Sequence, residues 1–281
     1  MKKSEHKLVH GPDYTIDIYL DPFNERVRVD DYRGHFGRCL IEALRFAEQL
    51  GAEKLIFKAR SENLNQLVSA GFALEAVIAK YFAGSDAYFF VKYFKAVRRD
   101  SLNWLKEDEI VKNVQKLPSG GPMAIPPAEY AIRKADLSDA PQLADLYMSV
   151  FQVYPVPMNS PDYIREVMEG DTVFYIYQYN NQIISAASAE INRTYFNAEI
   201  TDCATLPEHR QFGLMKLLIA GLEQELSQMG IFCTYSIARS LSFGMNAALH
   251  QLGYLYGGRL ANNCYIFSSL EDMNVWVKNP K

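Results

Sequence analysis

Apolar positions along this chain come in short blocks whose period switches between about two and about three and a half residues, the pattern of strands alternating with amphipathic helices. Tyr14–Leu20 alternates as a strand, Asp21-Pro22-Phe23-Asn24 reads as a turn, and Arg26–Asp30 returns as a second strand. Cys39–Leu50 has helical spacing and is stopped by Gly51; Lys54–Lys58 is a strand, and Glu62–Ser69 a helix stopped by Gly71. Strands follow over Ala73–Phe82 and Tyr88–Phe94. Val97–Gln115 is charged and helical, and runs into the Pro/Gly cluster Leu117–Pro127, the best boundary signal in the chain.

Beyond that cluster, Tyr130–Arg133 predicts a strand and Ser138–Val150 a helix, capped by Asp136 or Ser138 with Asp139 in its first turn. Pro161–Glu169 is a second helix. Thr172–Tyr179 and Gln182–Ile191 form a hairpin turned at Asn180-Asn181. A strand over Ala198–Thr205 then leads through a Pro-containing turn into a helix carrying Leu217, Leu218, Gly221, Leu222 and Leu226. A strand Phe232–Ala238, a helix Ser242–Leu252 and strands near Leu255–Leu260 and Cys264–Ser268 complete the series.

The two stretches echo each other. Glu42–Phe94 gives helix, Gly51, strand, short helix, Gly71-Phe72, strand, strand; Leu222–Ser268 gives helix, Gly230, strand, helix, Gly253-Tyr254, strand, strand. The predicted organisation is a partial unit at 1–95, a helical and Pro/Gly-rich linker at 96–127, and a complete α/β domain with a mixed sheet at 128–281. Chance likeness between units of similar size stays open.

Composition narrows the function classes. A length of 281 residues suits two domains better than one, and 49% apolar residues make a packed chain. A net charge of −4, without basic runs, argues against nucleic acid as the main partner. Cys39, Cys203, Cys233 and Cys264 lack metal-type spacing and read as buried free thiols, so no metal is expected. The amino terminus has no apolar core of a signal peptide and no run is long enough to span a bilayer, which predicts a cytoplasmic protein without a membrane partner. Formation of a homodimer is left open.

The chemistry concentrates at Arg210-Gln211-Phe212-Gly213-Leu214-Met215. A strand turning into a helix through Arg-x-x-Gly aims several backbone N–H groups and the helix dipole at one spot, a site for a pyrophosphate. This stretch, with its leading strand and following helix, resembles the acetyl-CoA-binding motif of the GCN5-related N-acetyltransferases (GNAT), Arg/Gln-x-x-Gly-x-Gly/Ala. Arg210 and Gly213 match, whereas Met215 replaces the usual small residue. The element order β-α-α-β-β-β-α-β-α-β-β over about 128–270 is also that family's order. The resemblance implies an acetyl-CoA-dependent transferase with a GNAT fold, preceded by a partial GNAT-like unit. It assigns Ala204, Thr205, Leu206, Arg210, Gln211, Phe212, Gly213, Leu214, Met215 and Asn246 to the cofactor. The first half has Arg33-Gly34-His35-Phe36-Gly37, but Arg38 and Cys39 follow and the strand before it reads as short and charged, so one acetyl-CoA per chain is expected.

Acetyl transfer to an amine needs the free amine, hence a general base at neutral pH. Glu199 and Asp202 are candidates; three apart, they point to opposite faces of a regular strand, and only a bulge would bring both to one cleft. Ala198-Glu199-Ile200 resembles the corresponding strand of histone acetyltransferases, which implies Glu199 as base. The family's Tyr acid would fall at Leu249, and its preceding Asn at Ser242; both depart, leaving Tyr254, Tyr256 and His250 nearby. The series Ala204–Arg210, Gly213-Leu214-Met215, Ala238-Arg239, Gly244-Met245-Asn246, Gly253-Tyr254, Gly257-Gly258 and Asn262-Asn263 resembles the β-lysine N-acetyltransferases, makers of a compatible solute. That implies a small diamino acid acetylated on its terminal (N6) amine, with Arg239, Asn262 and Asn263 at its carboxylate. Another amine (polyamine, amino acid or protein lysine) and a non-catalytic acyl-CoA sensor are the alternatives.

Overall fold

The computed structural model describes residues 4–151, 154, 156–266 and 269–279. Strands β1 (Glu5–His10), β2 (Tyr14–Asp21) and β3 (Arg26–Gly34) lead into helix α1 (Phe36–Leu50), which Gly51 ends. β4 (Lys54–Ala59), α2 (Leu64–Ser69), β5 (Ala73–Phe82) and β6 (Ser85–Tyr93) complete the first half. Two helices, α3 (Ala96–Arg99) and α4 (Trp104–Val114), stand where one was expected, separated at 100–103. The second half runs β7 (Tyr130–Lys134), α5 (Ala140–Val150), α6 (Pro161–Glu169), β8 (Thr172–Tyr179), β9 (Gln182–Asn192), β10 (Asn197–Thr205), α7 (Leu214–Gln228), β11 (Cys233–Arg239), α8 (Phe243–Gln251), β12 (Leu255–Ile266) and β13 (Ser269–Lys278).

Among the described residues, all thirteen strands form one mixed sheet in the order β1-β2-β3-β4-β6-β5-β12-β13-β11-β10-β9-β8-β7. That order is a near palindrome. β2-β3-β4-β6-β5 repeats β9-β10-β11-β13-β12, and in each set the strand before the first helix pairs in parallel with the strand after it. At the seam β5 meets β12, where Gly258 pairs with Ala76. A Cβ on Gly257 would lie 2.4 Å from the Val77 carbonyl oxygen, and one on Gly258 2.3 Å from that of Glu75, so the two glycines let the halves close.

Side-chain alternation assigns the faces. Val27, Val29, Leu55 and Phe57 pack under α1 and α2, while Ala198, Ile200 and Ala189 pack under α7. The faces opposite these helices turn toward each other and share a core that includes Ile56, Tyr81, Phe89, Tyr195, Cys233 and Tyr235. Asn197 donates to the Tyr81 carbonyl at 2.7 Å, and the fully buried Lys54 donates to the Ala261 carbonyl at 2.6 Å.

The hairpin at Asn180-Asn181 has φ of 49° and 62°, the left-handed pair that a tight two-residue turn requires. Two strand expectations need correction. Arg26–Asp30 extends to Gly34, so the strand before α1 is nine residues long, not short. The strands expected at Leu255–Leu260 and Cys264–Ser268 are one bulged strand, β12, and the final strand β13 lies beyond them. Position 268 itself is outside the described residues. β13 inserts between β11 and β12, a placement that local pattern does not encode.

Candidate active site

β10 and β11 pair only at Asn197–Glu199 with Cys233–Tyr235, and then part. The gap between them opens a cavity of about 540 Å³, lined on one side by Ile200–Cys203 and Thr205 and on the other by Ser236–Arg239. β11 keeps its bonds to β13 on its outer edge, so its inner edge from Ser236 onward presents unpaired amides to the cavity, suited to the amides of a pantetheine arm.

The cofactor loop closes one end. A short 3-10 segment, Pro207–Phe212, precedes Gly213, whose φ of +64° starts α7. Arg210, Gly213, Leu214, Met215 and Lys216 line the cavity together with Thr205. Arg210 is exposed and its Nε donates to the Thr205 carbonyl at 3.1 Å, while the Lys216 Nζ donates to Gln251 at 3.0 Å. Two cations beside the α7 N-terminus fit a pyrophosphate. Lys216 carries no motif signal beyond lying one turn into the helix, and sequence reasoning missed it. Met215 lines the cavity and does not close it. Among the other cofactor candidates, Ala204 is buried, Leu206 and Phe212 pack into cores and Gln211 is exposed; none of the four lines the cavity.

Asn246 needs correction. It is 0% exposed; its amide donates to the carbonyls of Arg239 and Ser242, and its oxygen accepts from Asn274 and Trp276. Every polar valence is engaged in tying α8 to β11 and β13, so it does not reach a cofactor. Asn262 and Asn263 also need correction. They sit in a bulge of β12 against α3, where the Asn262 amide donates to the Val97 carbonyl and the Asn263 carbonyl accepts from Arg26 and Arg98. Neither lines the cavity. Arg239 does line it, paired bidentately with Glu271 at 2.7 Å, which places it on the cofactor side.

The carboxylates come together where the strands part. Glu199 occupies the last paired position of β10, and its cross-strand neighbour on β9 is Glu190. A bulge between Thr201 and Ala204, with Asp202 at φ +48°, turns Asp202 onto the same face. There it accepts from the Ser188 hydroxyl at 2.6 Å and the Tyr154 hydroxyl at 3.0 Å. The bulge is what lets two residues three apart share one site.

Burial raises the carboxyls of both Glu199 and Asp202. For Glu199, Lys58 and Arg28 oppose the rise and Asp202 adds to it; for Asp202, the bonds from Ser188 and Tyr154 oppose it. Burial, with Asp202 and Glu199 beside it, pushes Glu190 up to about 8. Glu190 was not foreseen. Its only sequence signal was its place opposite Glu199 in the predicted hairpin-and-strand register. No Tyr stands at the family's acid position, and Leu249 is fully buried. Tyr154 lines the cavity, and its phenol is raised well above its usual range by burial and by Asp202, so it stays protonated. Among the described residues no cluster of His, Cys, Asp and Glu is placed to hold a metal ion, and no helix is long and apolar enough to cross a membrane.

Comparison with known proteins agrees with this geometry. A model of the Acetyltransferase (GNAT) family matches residues 140–254, from α5 through α8. The chain is 41% identical over 272 residues to N-acetyltransferase YodP of Bacillus subtilis (strain 168), covering 97% of this chain and 98% of that one. It is 34% identical to a beta-lysine N(6)-acetyltransferase of Methanosarcina mazei, over 88% of this chain and 99% of that one. A beta-lysine N(6)-acetyltransferase of Methanococcus maripaludis is 32% identical over 93% of this chain and 95% of its own length. The protein is therefore an acetyl-CoA-dependent acyltransferase, and the chain belongs to the GNAT family of acetyltransferases.

Proposed function

We propose that this protein acetylates the terminal amine of a small diamino acid, with β-lysine as the acceptor. The observation that carries the mechanism is the cluster of Glu199, Glu190 and Asp202 at the point where β10 and β11 part. The acceptor assignment is supported by the two relatives named for β-lysine acetylation.

Acetyl-CoA, when bound, supplies an acyl carbon on a thiolate leaving group. Arg210, Lys216 and the α7 N-terminus hold its phosphates, and the open edge of β11 aligns its arm. Glu199 takes a proton from the acceptor ammonium, freeing the nitrogen lone pair to attack the acyl carbon. Its raised carboxyl makes it a stronger base than an exposed glutamate. As the carbon–sulfur bond breaks, Tyr154 gives its proton to the departing sulfur, and the proton that Glu199 took returns through Asp202 to the Tyr154 oxygen, which restores all three groups. The nitrogen's second proton leaves with the solvent, so one proton is released for each amide formed.

The test is thiol release with a panel of amines: β-lysine, lysine, ornithine, cadaverine, spermidine and a lysine peptide. β-Lysine should give the highest kcat/KM. If cadaverine or the peptide outruns it, the acceptor assignment is wrong and the transferase stands. Tight acetyl-CoA binding with no turnover of any amine would favour an acyl-CoA sensor.

A further inference from the structure

A charged cluster lies where the two halves meet, and the first half supplies its cations. Arg28 on β3 and Lys58 on β4 point away from α1, on the face turned toward β10 and β11. Arg28 grips Asp30 through Nε at 2.6 Å and a second nitrogen at 3.0 Å. Lys58 bonds Asp30 at 2.8 Å and the Tyr81 hydroxyl at 3.0 Å. The Tyr81 ring lies tilted at 57° against Tyr235, the residue paired with Glu199, with 5.6 Å between centroids. Arg28 and Lys58 both act on Glu199 and Glu190, so these groups share one space.

Beside the shared core, part of that space is open to water. Glu190 is exposed to water and Arg28 keeps 27% of its side-chain surface; burial pushes the Glu190 carboxyl up, whereas for Arg28 burial is outweighed by Asp30, which holds the guanidinium charged. Burial, with the charges of Glu190 and Asp202, raises the phenol of Tyr163 on α6. With Asp30 binding one edge of the guanidinium, the other nitrogen of Arg28 stays free to donate. The cleft is therefore polarised, with three carboxylates on the catalytic wall and an arginine and a lysine on the opposite wall.

We propose that the first half completes the acceptor site, with Arg28, positioned by Asp30 and Lys58, taking the carboxylate of a small amino acid whose reacting amine lies at Glu199. This rests on the acetyltransferase reading of the splayed strands and replaces Arg239, Asn262 and Asn263 as the carboxylate's partners. A small molecule with an amine at one end and a carboxylate at the other matches this polarity, whereas a plain diamine offers Arg28 no partner beyond Asp30.

The experiment compares the intact protein with Arg28→Gln on matched acceptors, β-lysine, lysine and ornithine against cadaverine and putrescine. The KM for the best carboxylate-bearing acceptor should rise about 10- to 100-fold, the worth of a charge-assisted hydrogen bond, with cadaverine changed less than about 2-fold. Acetyl-CoA affinity, read by titration, should hold. If Arg28→Gln does not fold, Arg28→Lys, which keeps the charge beside Asp30, should raise the same KM at least about 3-fold with the same selectivity. Equal losses on both acceptor classes, or none on either, overturn the proposal while leaving a β-lysine acceptor intact. If lysine or ornithine is preferred and still depends on Arg28, the β-lysine assignment falls and the cleft stands. If cadaverine is the best acceptor of the unaltered protein, both fall.

Discussion

The two halves share strand order and helix placement, yet they differ in the loop that carries the strand before the first helix into that helix. In the second half β10 and β11 part over an open cavity, and a loop with Gly213 in the left-handed region carries β10 into α7. In the first half β3 reaches α1 with only His35 between them, and His35 caps the helix with its own ring. No loop remains to present amides to a phosphate. The gap where β3 and β4 part is narrowed to a smaller cavity of about 390 Å³ by Tyr32, whose hydroxyl donates to Asn63 and accepts from the Arg60 backbone, and by Arg60, which bonds Asp31. Counted from the helix-ending glycines Gly51 and Gly230 through the parallel pairs, Tyr32 stands where the second half has Cys203, which lines the cavity. In the same count Arg28 stands where the second half has Glu199. A duplicated framework thus does different work by exchanging a few side chains. In the proposed mechanism one copy holds the cofactor and the base, and the other turns a cation toward that base.

The largest effect should come from destroying the loop that only the second half has. Gly213→Glu places a side chain at φ +64°, 3.3 Å from Ala124, and adds negative charge at the phosphate site. Acetyl-CoA binding, followed by titration, should vanish, whereas Gly37→Glu in the first half should leave one site per chain. Two sites in the unaltered protein would break the comparison outright.

Next in size is the base. Glu199→Gln should lower kcat by about 10²–10⁴-fold at neutral pH with acetyl-CoA affinity retained. The deficit should narrow at high pH as free amine accumulates, and an unchanged kcat would pass the role to Asp202, Glu190 or water. Tyr32→Ala tests the narrowed gap in the first half. It removes a buried ring and two hydrogen bonds, so urea unfolding should show a loss of about 3–5 kcal/mol. No second acetyl-CoA site should appear, because the loop is still missing.

The smallest effect concerns pH. An acid whose carboxyl is raised gains base strength only as pH climbs through that raised value, so kcat/KM should rise with pH through a limb set by the coupled carboxylates. Glu190→Gln leaves one titrating glutamate where two coupled ones stood, so the higher step at about 8 is lost and the ascending limb moves to lower pH. A limb that stays in place would mean that Glu190 does not couple to the base.

Much of the fold was legible because its cues are local. Alternation located β2, β8 and β9; Gly51 and Gly71 ended helices; the Asn pair fixed a hairpin. The motif at Arg210–Gly213 identified the cofactor loop because amides, dipole and cation sit within one turn of chain. What failed was non-local. Asn246 and Asn262-Asn263 carry the chemistry of a binding residue, but hydrogen bonds to β13 and α3, distant in sequence, consume it. Glu190 and Arg28 looked like ordinary strand charges until the sheet curled.

The sequence by itself determined the period of most elements, the glycine stops and the family. Tertiary structure decided which polar groups are free and which are spent. β13 inserts beside β11 and leaves only one edge of it open. The bulge at Asp202 brings two carboxylates to one face. The curling of one sheet sets Arg28 and Lys58 opposite Glu199, which no spacing along the chain encodes, because each of these depends on strand pairing between segments far apart.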